Sequence, residues 1–177
     1  MNQTFAPWVG ANYYNGGIIG VRILILGEAH YGDHDEEVLD FTQKIVRKLG
    51  QQERFAFFTR VQKLVENRTE FVTNDERKKF WEQVAFYNYI QGFPGNTPRI
   101  RPTEKMWNEA APIYLETLKE LKPDLVIILG NELWDHVPYD EDNTCLCGIP
   151  HPSSFGFESD KWREKIHATI LNIKNKS

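Results

Sequence analysis

Cysteine is scarce in this sequence, and long apolar runs are missing from it. Only two of the 177 residues are cysteines, Cys145 and Cys147. Two thiols are too few ligands for a zinc site or an iron–sulfur cluster, and we expect them to be reduced, as is usual in the cytoplasm. No apolar run approaches the length that spans a membrane, and the first residues do not follow the pattern of a secretory signal. We therefore expect a soluble, cytoplasmic protein.

An excess of positive charge is also missing. The formal net charge is −4 at pH 7, whereas proteins that bind nucleic-acid backbones usually carry a basic surface. The charge argues mildly against tight, non-specific binding to DNA but leaves room for a local basic face. Two basic clusters are candidates for such a face, the first with Arg99, Arg101 and Lys105 and the second with Arg47, Lys48, Arg54 and Arg60.

What the sequence does have is the composition and the alternating pattern of an α/β domain. Hydrophobic residues make up 41% of the chain and charged residues 26%, which is typical of a globular protein that buries a core. Apolar runs predict four strands, at residues 21–26, 84–90, 125–129 and 144–149. Helical periodicity predicts helices at residues 35–49, 54–66, 74–81, 104–121 and 159–173. Because strands that alternate with helices form parallel sheets, we expect residues 1–177 to form one three-layer α/β/α domain around a four-stranded parallel sheet.

Two polar motifs stand where predicted strands end. Gly27-Glu28-Ala29-His30-Tyr31-Gly32 follows the first strand, and His151-Pro152-Ser153-Ser154 follows the last. Ligands of open parallel sheets bind in the crevice outside the carboxyl ends of the strands. The two motifs therefore predict one shared pocket.

The first motif carries the carboxylate of Glu28, for which the sequence leaves three roles open. Gly27 allows the backbone to turn sharply, and Glu28 then lies at the end of an apolar strand, where it can accept a hydrogen bond from a base or position a water. The plainer interpretation is that Glu28 caps backbone donors of its loop. Glu28, His30 and His34 also suggest a metal site, although acidic and histidine residues at a helix start are more often caps and solvated charge.

The second motif holds a histidine in a rigid turn. His151 leaves the strand directly before a proline, and from there it can donate a hydrogen bond to charge that develops on a leaving group. Ser153 and Ser154 can bind phosphate through hydroxyl and backbone N–H groups. On its own the motif is more typical of an ordinary turn with a serine that caps the next helix.

Together these motifs resemble the uracil-DNA glycosylase superfamily. The resemblance rests on the order Gly27-Glu28-Ala29, Asn88, the loop at residues 93–99, and the His151-Pro152-Ser153-Ser154 turn, and it covers roughly residues 20–157. The segment from Asn88 to Gly130 is similar to the thermostable, iron–sulfur branch. Tyr31 and the final turn are more similar to the uracil-specific branch.

The resemblance implies an enzyme that flips a base out of DNA into a pocket at the strand ends. It implies that Asn88 hydrogen-bonds the edge of the base, that Tyr31 excludes a methyl group, and that His151 stabilises the departing base anion. Ser153 and Ser154 then hold phosphate, and Phe155 fills the gap left in a duplex. Arg99 and Arg101 are the expected contacts to the DNA backbone.

Three departures from the family pattern bear on activity. The uracil-specific branch has a water-orienting Asp at the position of Ala29, whereas the iron–sulfur branch also has a small residue there, so Glu28 is the candidate for part of that role. The cluster-binding cysteines are missing, so we expect no cofactor. His30 replaces the usual proline and, beside Tyr31, is placed to narrow the pocket or read a different base.

We therefore expect a monomeric DNA glycosylase that removes a deaminated or damaged base, with DNA, single- or double-stranded, as its partner. The alternative is a silent member of the superfamily that binds a nucleobase, nucleotide or DNA without cleaving it. A metal-dependent hydrolase is the third and weakest hypothesis.

Overall fold

A five-stranded β-sheet forms the centre of the molecule in the computed structural model, which describes residues 3–97, 100–139 and 144–176. The strands are β1 (Trp8–Val9), β2 (Ile23–Gly27), β3 (Ala85–Asn88), β4 (Leu125–Leu129) and β5 (Cys145–Ile149). The α-helices are α1 (Phe41–Ile45), α2 (Ala56–Val65), α3 (Asn74–Trp81), α4 (Glu104–Leu121), α5 (Asn131–His136) and α6 (Ser159–Lys174). The protein is therefore of the α/β class.

The sheet is mixed rather than purely parallel, which corrects the expected four-stranded arrangement. Its order is β1-β3-β2-β4-β5, and β2, β3, β4 and β5 run parallel to their neighbours. The fifth strand, β1, pairs antiparallel with β3, with Trp8 opposite Phe86. The indole N–H of Trp8 donates to the carbonyl of Trp81 over 2.8 Å and holds this edge in place. A two-residue strand carries no periodicity, so no local pattern predicts it.

The strands β2, β3 and β4 are buried on both faces because each carries a nearly continuous apolar run, whereas the edge strand β5 is buried only at Cys147 and Ile149. Ile23, Ile25 and the residues in register with them face a core cluster that includes α2, α3 and α6. Leu24 and Leu26 face a second cluster on the opposite side, formed mainly with α4. Cys147 belongs to the first cluster and Cys145 packs against it, and both thiols are free.

Two of the α-helices begin at a threonine that caps them. Thr73 and Thr103 each accept a hydrogen bond from the backbone N–H three residues on, at the starts of α3 and α4. The helix expected at residues 35–49 differs: a 3₁₀ turn at His34–Glu36 precedes α1, and the chain then continues as a π-helical segment, Val46–Gln52. Within the described ranges, no helix combines the length and the apolar composition that a membrane span requires.

Candidate functional site at the carboxyl edge of the sheet

The polar motifs lie at the same edge of the sheet. Gly27 pairs with Asn88, Leu26 pairs with Ile128, and Ile128 pairs with Gly148. Glu28, Asn88 and the turn that begins after Pro150 therefore all stand at or just beyond the carboxyl ends of the parallel strands. Three strand spacings separate β3 from β5, about 14 Å, so Asn88 and His151 stand on either side of the ends of β2 and β4 instead of touching. We call the space over these strand ends the strand-end crevice.

The chain changes direction in this crevice. From β2 it crosses to β3 on one side, and from β3 it returns past β2 to β4 on the other. The point between β2 and β4 is thus the topological switch point of the parallel strands, where open α/β sheets bind their ligands. Glu28 follows β2 at this point, and α5 begins directly after β4.

Glu28 is joined across the crevice to a cation and a second carboxylate. The guanidinium of Arg101 donates to Glu28 Oε2 over 2.9 Å and also to the carboxylate of Glu132, in the first turn of α5. Burial raises the pKa of Glu28, while the hydrogen bond and charge of Arg101 oppose that rise and the charge of Glu132 adds to it. Arg101 thus forms ion pairs with two carboxylates over the strand ends, whereas the sequence predicted that it contacts DNA phosphate.

Asn88 lies against the backbone of its neighbouring strand, and this contact explains the glycine at position 27. A Cβ built at Gly27 would lie 2.2 Å from Asn88 Oδ1. Gly27 belongs to β2 and pairs with Asn88, so the glycine serves close approach rather than the sharp turn expected from the sequence. The residue Asn88 is only 5% exposed, and its side chain is therefore held within a narrow space at the strand end.

His151 is oriented by its own turn. The backbone N–H of Ser153 donates to His151 Nδ1 over 3.1 Å, and the N–H of Ser154 donates to the His151 carbonyl over 2.8 Å. A neutral imidazole that accepts at Nδ1 carries its proton on Nε2. The turn therefore presents Nε2–H as a hydrogen-bond donor. The two backbone N–H groups are used inside the turn, which leaves the exposed hydroxyls of Ser153 and Ser154 for a ligand.

Helix α2 supports this turn from below. The ring of Phe57 stacks on the imidazole of His151, with 5.3 Å between centroids and 15° between planes. The guanidinium of Arg60, one turn further along α2, donates to the carbonyl of Pro152. Packing against the protein lowers the pKa of His151, and the nearby charge of Arg60 lowers it further. Both effects favour the neutral imidazole, the form that donates through Nε2.

His30 occupies a different environment from the one expected for a base contact. Its Nε2 is 2.8 Å from Thr42 Oγ1, and its ring makes edge contacts with Phe5 and Phe41. Phe5 in turn stacks on Phe93. Burial without a charged partner lowers the pKa of His30 to about 3. This histidine is a neutral core residue that fixes the loop after β2, and its expected role in base recognition does not fit these contacts.

The remaining candidate residues are distributed around the crevice. Tyr31 is half-buried next to His30 in the loop after β2, and the N–H of Gly32 ties that loop to the carbonyl of Gly95. Phe155 is fully exposed beyond the His151 turn, as a residue inserted into DNA has to be. Arg99 lies outside the described residues.

The hypothesis of a metal site receives no support from the side chains. His34 is exposed and bonded to Glu37, whereas His30 is buried against Thr42. In the ranges that the structure describes, no group of three or more His, Cys, Asp or Glu side chains is arranged to hold a metal ion.

Sequence reasoning missed the partners that shape the site, because they come from distant parts of the chain. Arg101 is 73 residues from Glu28, and Phe57 is 94 residues before His151 in the sequence. The short helix α5, which brings in Glu132, was also missed. Its signal was available in the pattern Gly130-Asn131-Glu132-Leu133, a turn followed by an acidic first helical turn.

The fold defines the class of protein: an α/β protein with a mixed five-stranded sheet and a cluster of polar side chains at the switch point of that sheet. No family model matches the chain, and no curated protein is significantly similar to it.

Proposed function

We propose that the protein is a DNA base-excision glycosylase that hydrolyses the N-glycosidic bond of a deaminated or damaged base, in the manner of the uracil-DNA glycosylase superfamily. The observation that carries the proposal is the His151 turn: a neutral imidazole with Nε2–H as donor, at the same sheet edge as the amide of Asn88. The four parallel strands β2 to β5 between helices are in keeping with that family, with β1 as an addition.

The chemistry assigned to these residues follows from charge development. As the bond between the sugar C1′ and the base nitrogen breaks, its electron pair leaves with the base, and the sugar becomes cationic. Nε2–H of His151 donates to the base anion, which is where a preorganised donor stabilises the transition state most. Asn88 reads the edge of the flipped base. Glu28 positions the water whose oxygen adds to C1′ and accepts its proton as the product forms.

A second candidate function is a catalytically silent protein that binds a base or nucleotide. Two observations favour it. Ala29 stands where the uracil-specific branch has a water-orienting Asp, and the carboxylate of Glu28 is already paired with Arg101. Under this proposal Asn88 and His151 recognise a base without cleaving it.

A single-turnover excision assay separates the two candidates. The wild type is incubated with oligonucleotides that contain uracil, hypoxanthine, xanthine or another modified base, and base release and affinity are measured separately. We expect His151→Ala to lower the excision rate by about 10²- to 10³-fold, with a change in affinity of no more than about threefold. The reason is that its hydrogen bond to the leaving group strengthens mainly in the transition state.

His167→Ala serves as the matched control, because His167 lies on α6 and outside the strand-end crevice. It should leave both rate and affinity unchanged. Release of no base from any oligonucleotide by the wild type, together with retained binding, would reject the glycosylase and support the binding protein.

A further inference from the structure

A basic groove lies beside the His151 turn, between α2 and α6. It has a volume of about 560 Å³. Five of the side chains that line it are basic, namely Arg54, Arg60, Lys63, Arg68 and Arg163, and Asp160 is acidic. The groove is therefore positively charged, whereas the chain as a whole has a net charge of −4.

Two of the five cations are neutralised by neighbouring carboxylates. Arg68 pairs with Glu76 over 2.8 Å and lies near Glu66, and Arg163 pairs with Asp160 over 2.8 Å. For Arg54, Arg60 and Lys63, the described part of the chain offers no carboxylate within ion-pair distance. Their side chains donate hydrogen bonds to the backbone carbonyls of Val72, Pro152 and Thr69 respectively. The groove therefore keeps three unneutralised positive charges.

These three cations follow the axis of α2. Arg60 and Lys63 are three residues apart and so lie on one face of the helix, and Arg54 precedes its first turn. From Ala56 to Lys63 the helix rises about 10 Å, which is the axial length of about three nucleotides in one strand of a nucleic acid. Thr59 and Ser159 add hydroxyl groups to the same groove. An elongated row of cations suits a chain of phosphates better than a single small anion.

The groove adjoins the proposed site at Arg60. Arg60 lines the groove and also bonds the carbonyl of Pro152, and Phe57 on the same helix stacks on His151. A strand whose base is bound beside His151 therefore has its flanking phosphates at the mouth of the groove.

We propose that the groove between α2 and α6 binds the phosphate backbone of the DNA strand that carries the target base, over about three nucleotides on one side of that base. This inference rests on the proposed function for its orientation, but its electrostatic part is measurable without any catalysis. It assigns the contact to the DNA backbone chiefly to α2 instead of to Arg99 and Arg101.

The first test is the salt dependence of binding to a fluorescent oligonucleotide. Each phosphate contact contributes about 0.7 to the slope of log affinity against log salt for a single strand, and about 0.9 for a duplex. Lys63→Gln should lower the slope by about that amount, and Lys63→Arg, which keeps the charge, should restore it. Lys119→Gln is the matched control. Lys119 is a helix lysine near the amino ends of the strands, and its replacement should leave the slope unchanged.

The second test locates the contact relative to the target base. Uncharged methylphosphonate linkages replace one to three phosphates on one side of the base, and then on the other. We expect the methylphosphonate linkages to weaken binding by the wild type several-fold on one side of the base only. Their effect on Lys63→Gln should be smaller, because the charge that contacts the phosphate in the wild type is absent from this variant. Thermal unfolding checks that each variant folds.

The outcomes separate this inference from the proposed function. If the wild type excises a base and the salt slope of Lys63→Gln is unchanged, the groove does not bind DNA, and the proposed glycosylase function stands. A lower slope without any excision would keep the groove as a DNA-binding surface and reject the glycosylase. A third outcome would overturn the inference by identifying a small-anion site. In that outcome inorganic pyrophosphate competes with the oligonucleotide in a way that depends on Lys63, and the methylphosphonate linkages have no effect on binding.

Discussion

Replacing Gly27 by alanine tests the geometry of the strand-end crevice with one methyl group. The new Cβ would lie 2.2 Å from Asn88 Oδ1 and 3.5 Å from Phe86 Cζ. An ordinary contact needs more than 3 Å, so the Asn88 amide has to move by about 1 Å, a displacement that has cost about 10²-fold in enzyme rates. We therefore expect Gly27→Ala to lower base recognition and excision by about that factor.

The effect on stability should be much smaller. Overpacking of this kind costs about 1–3 kcal/mol. Alanine can adopt the extended backbone of β2, and it restricts the unfolded chain more than glycine does. This restriction stabilises the folded state by about 0.4–1 kcal/mol and offsets part of the loss. The net loss is about 1 kcal/mol, which corresponds to about 2–4 °C in Tm for a chain of this length. Urea denaturation and thermal unfolding measure it.

A double-mutant cycle decides whether the Asn88 amide is responsible. In an Asn88→Ala background the atom that collides with the new methyl is gone, so Gly27→Ala should cost little and the two substitutions should show a coupling of about 1 kcal/mol. An equal cost in both backgrounds, or full retention of ligand affinity by Gly27→Ala, would refute this account of the close approach.

Three further expectations concern charge and exposure. The pKa of buried His30 is lowered from 6.5 to about 3, so below pH 6.5 the unfolded chain binds a proton that the folded chain does not, and stability falls as pH falls. Between pH 7.5 and pH 5, the wild type should lose about 2 kcal/mol more unfolding free energy than His30→Gln; parallel pH profiles in urea would contradict this. Glu132→Gln should lower the pKa of Glu28, because the charge of Glu132 raises it; NMR titration of Glu28 reports the direction, and an upward shift would be incompatible with the cluster. Phe155→Ala should weaken binding to a duplex more than binding to a single strand, which has no gap to fill; equal losses would remove Phe155 as the inserted residue.

Local signals in the sequence predicted the regular elements well. The apolar runs of β2 and β4 are long enough to identify buried strands, and the hydroxyl caps at Thr73 and Thr103 fix the starts of two helices. The strand β1 was not predicted, because its two residues form a strand only by pairing with β3 and no local pattern encodes that pairing.

The candidate site was predictable in position but not in detail. The rule that ligands bind at the carboxyl ends of parallel strands located Glu28, Asn88 and His151 at one edge. What each side chain does there depends on partners that are far away in the sequence, such as Arg101 for Glu28 and Phe57 for His151. His30 shows the same limit: its position in a motif suggested a ligand contact, and its burial against aromatic rings was visible only in three dimensions.

Strand β1 also closes an edge of the sheet that would otherwise be open to other molecules. Besides its pairing with β3, the N–H groups of Gly10 and Asn12 donate to the carbonyls of Val84 and Glu82 over 3.0 and 2.8 Å. An uncovered row of such groups beside apolar strands is a template for intermolecular pairing and aggregation. This short segment thus covers the edge of β3, and its loss would leave that edge open to self-association.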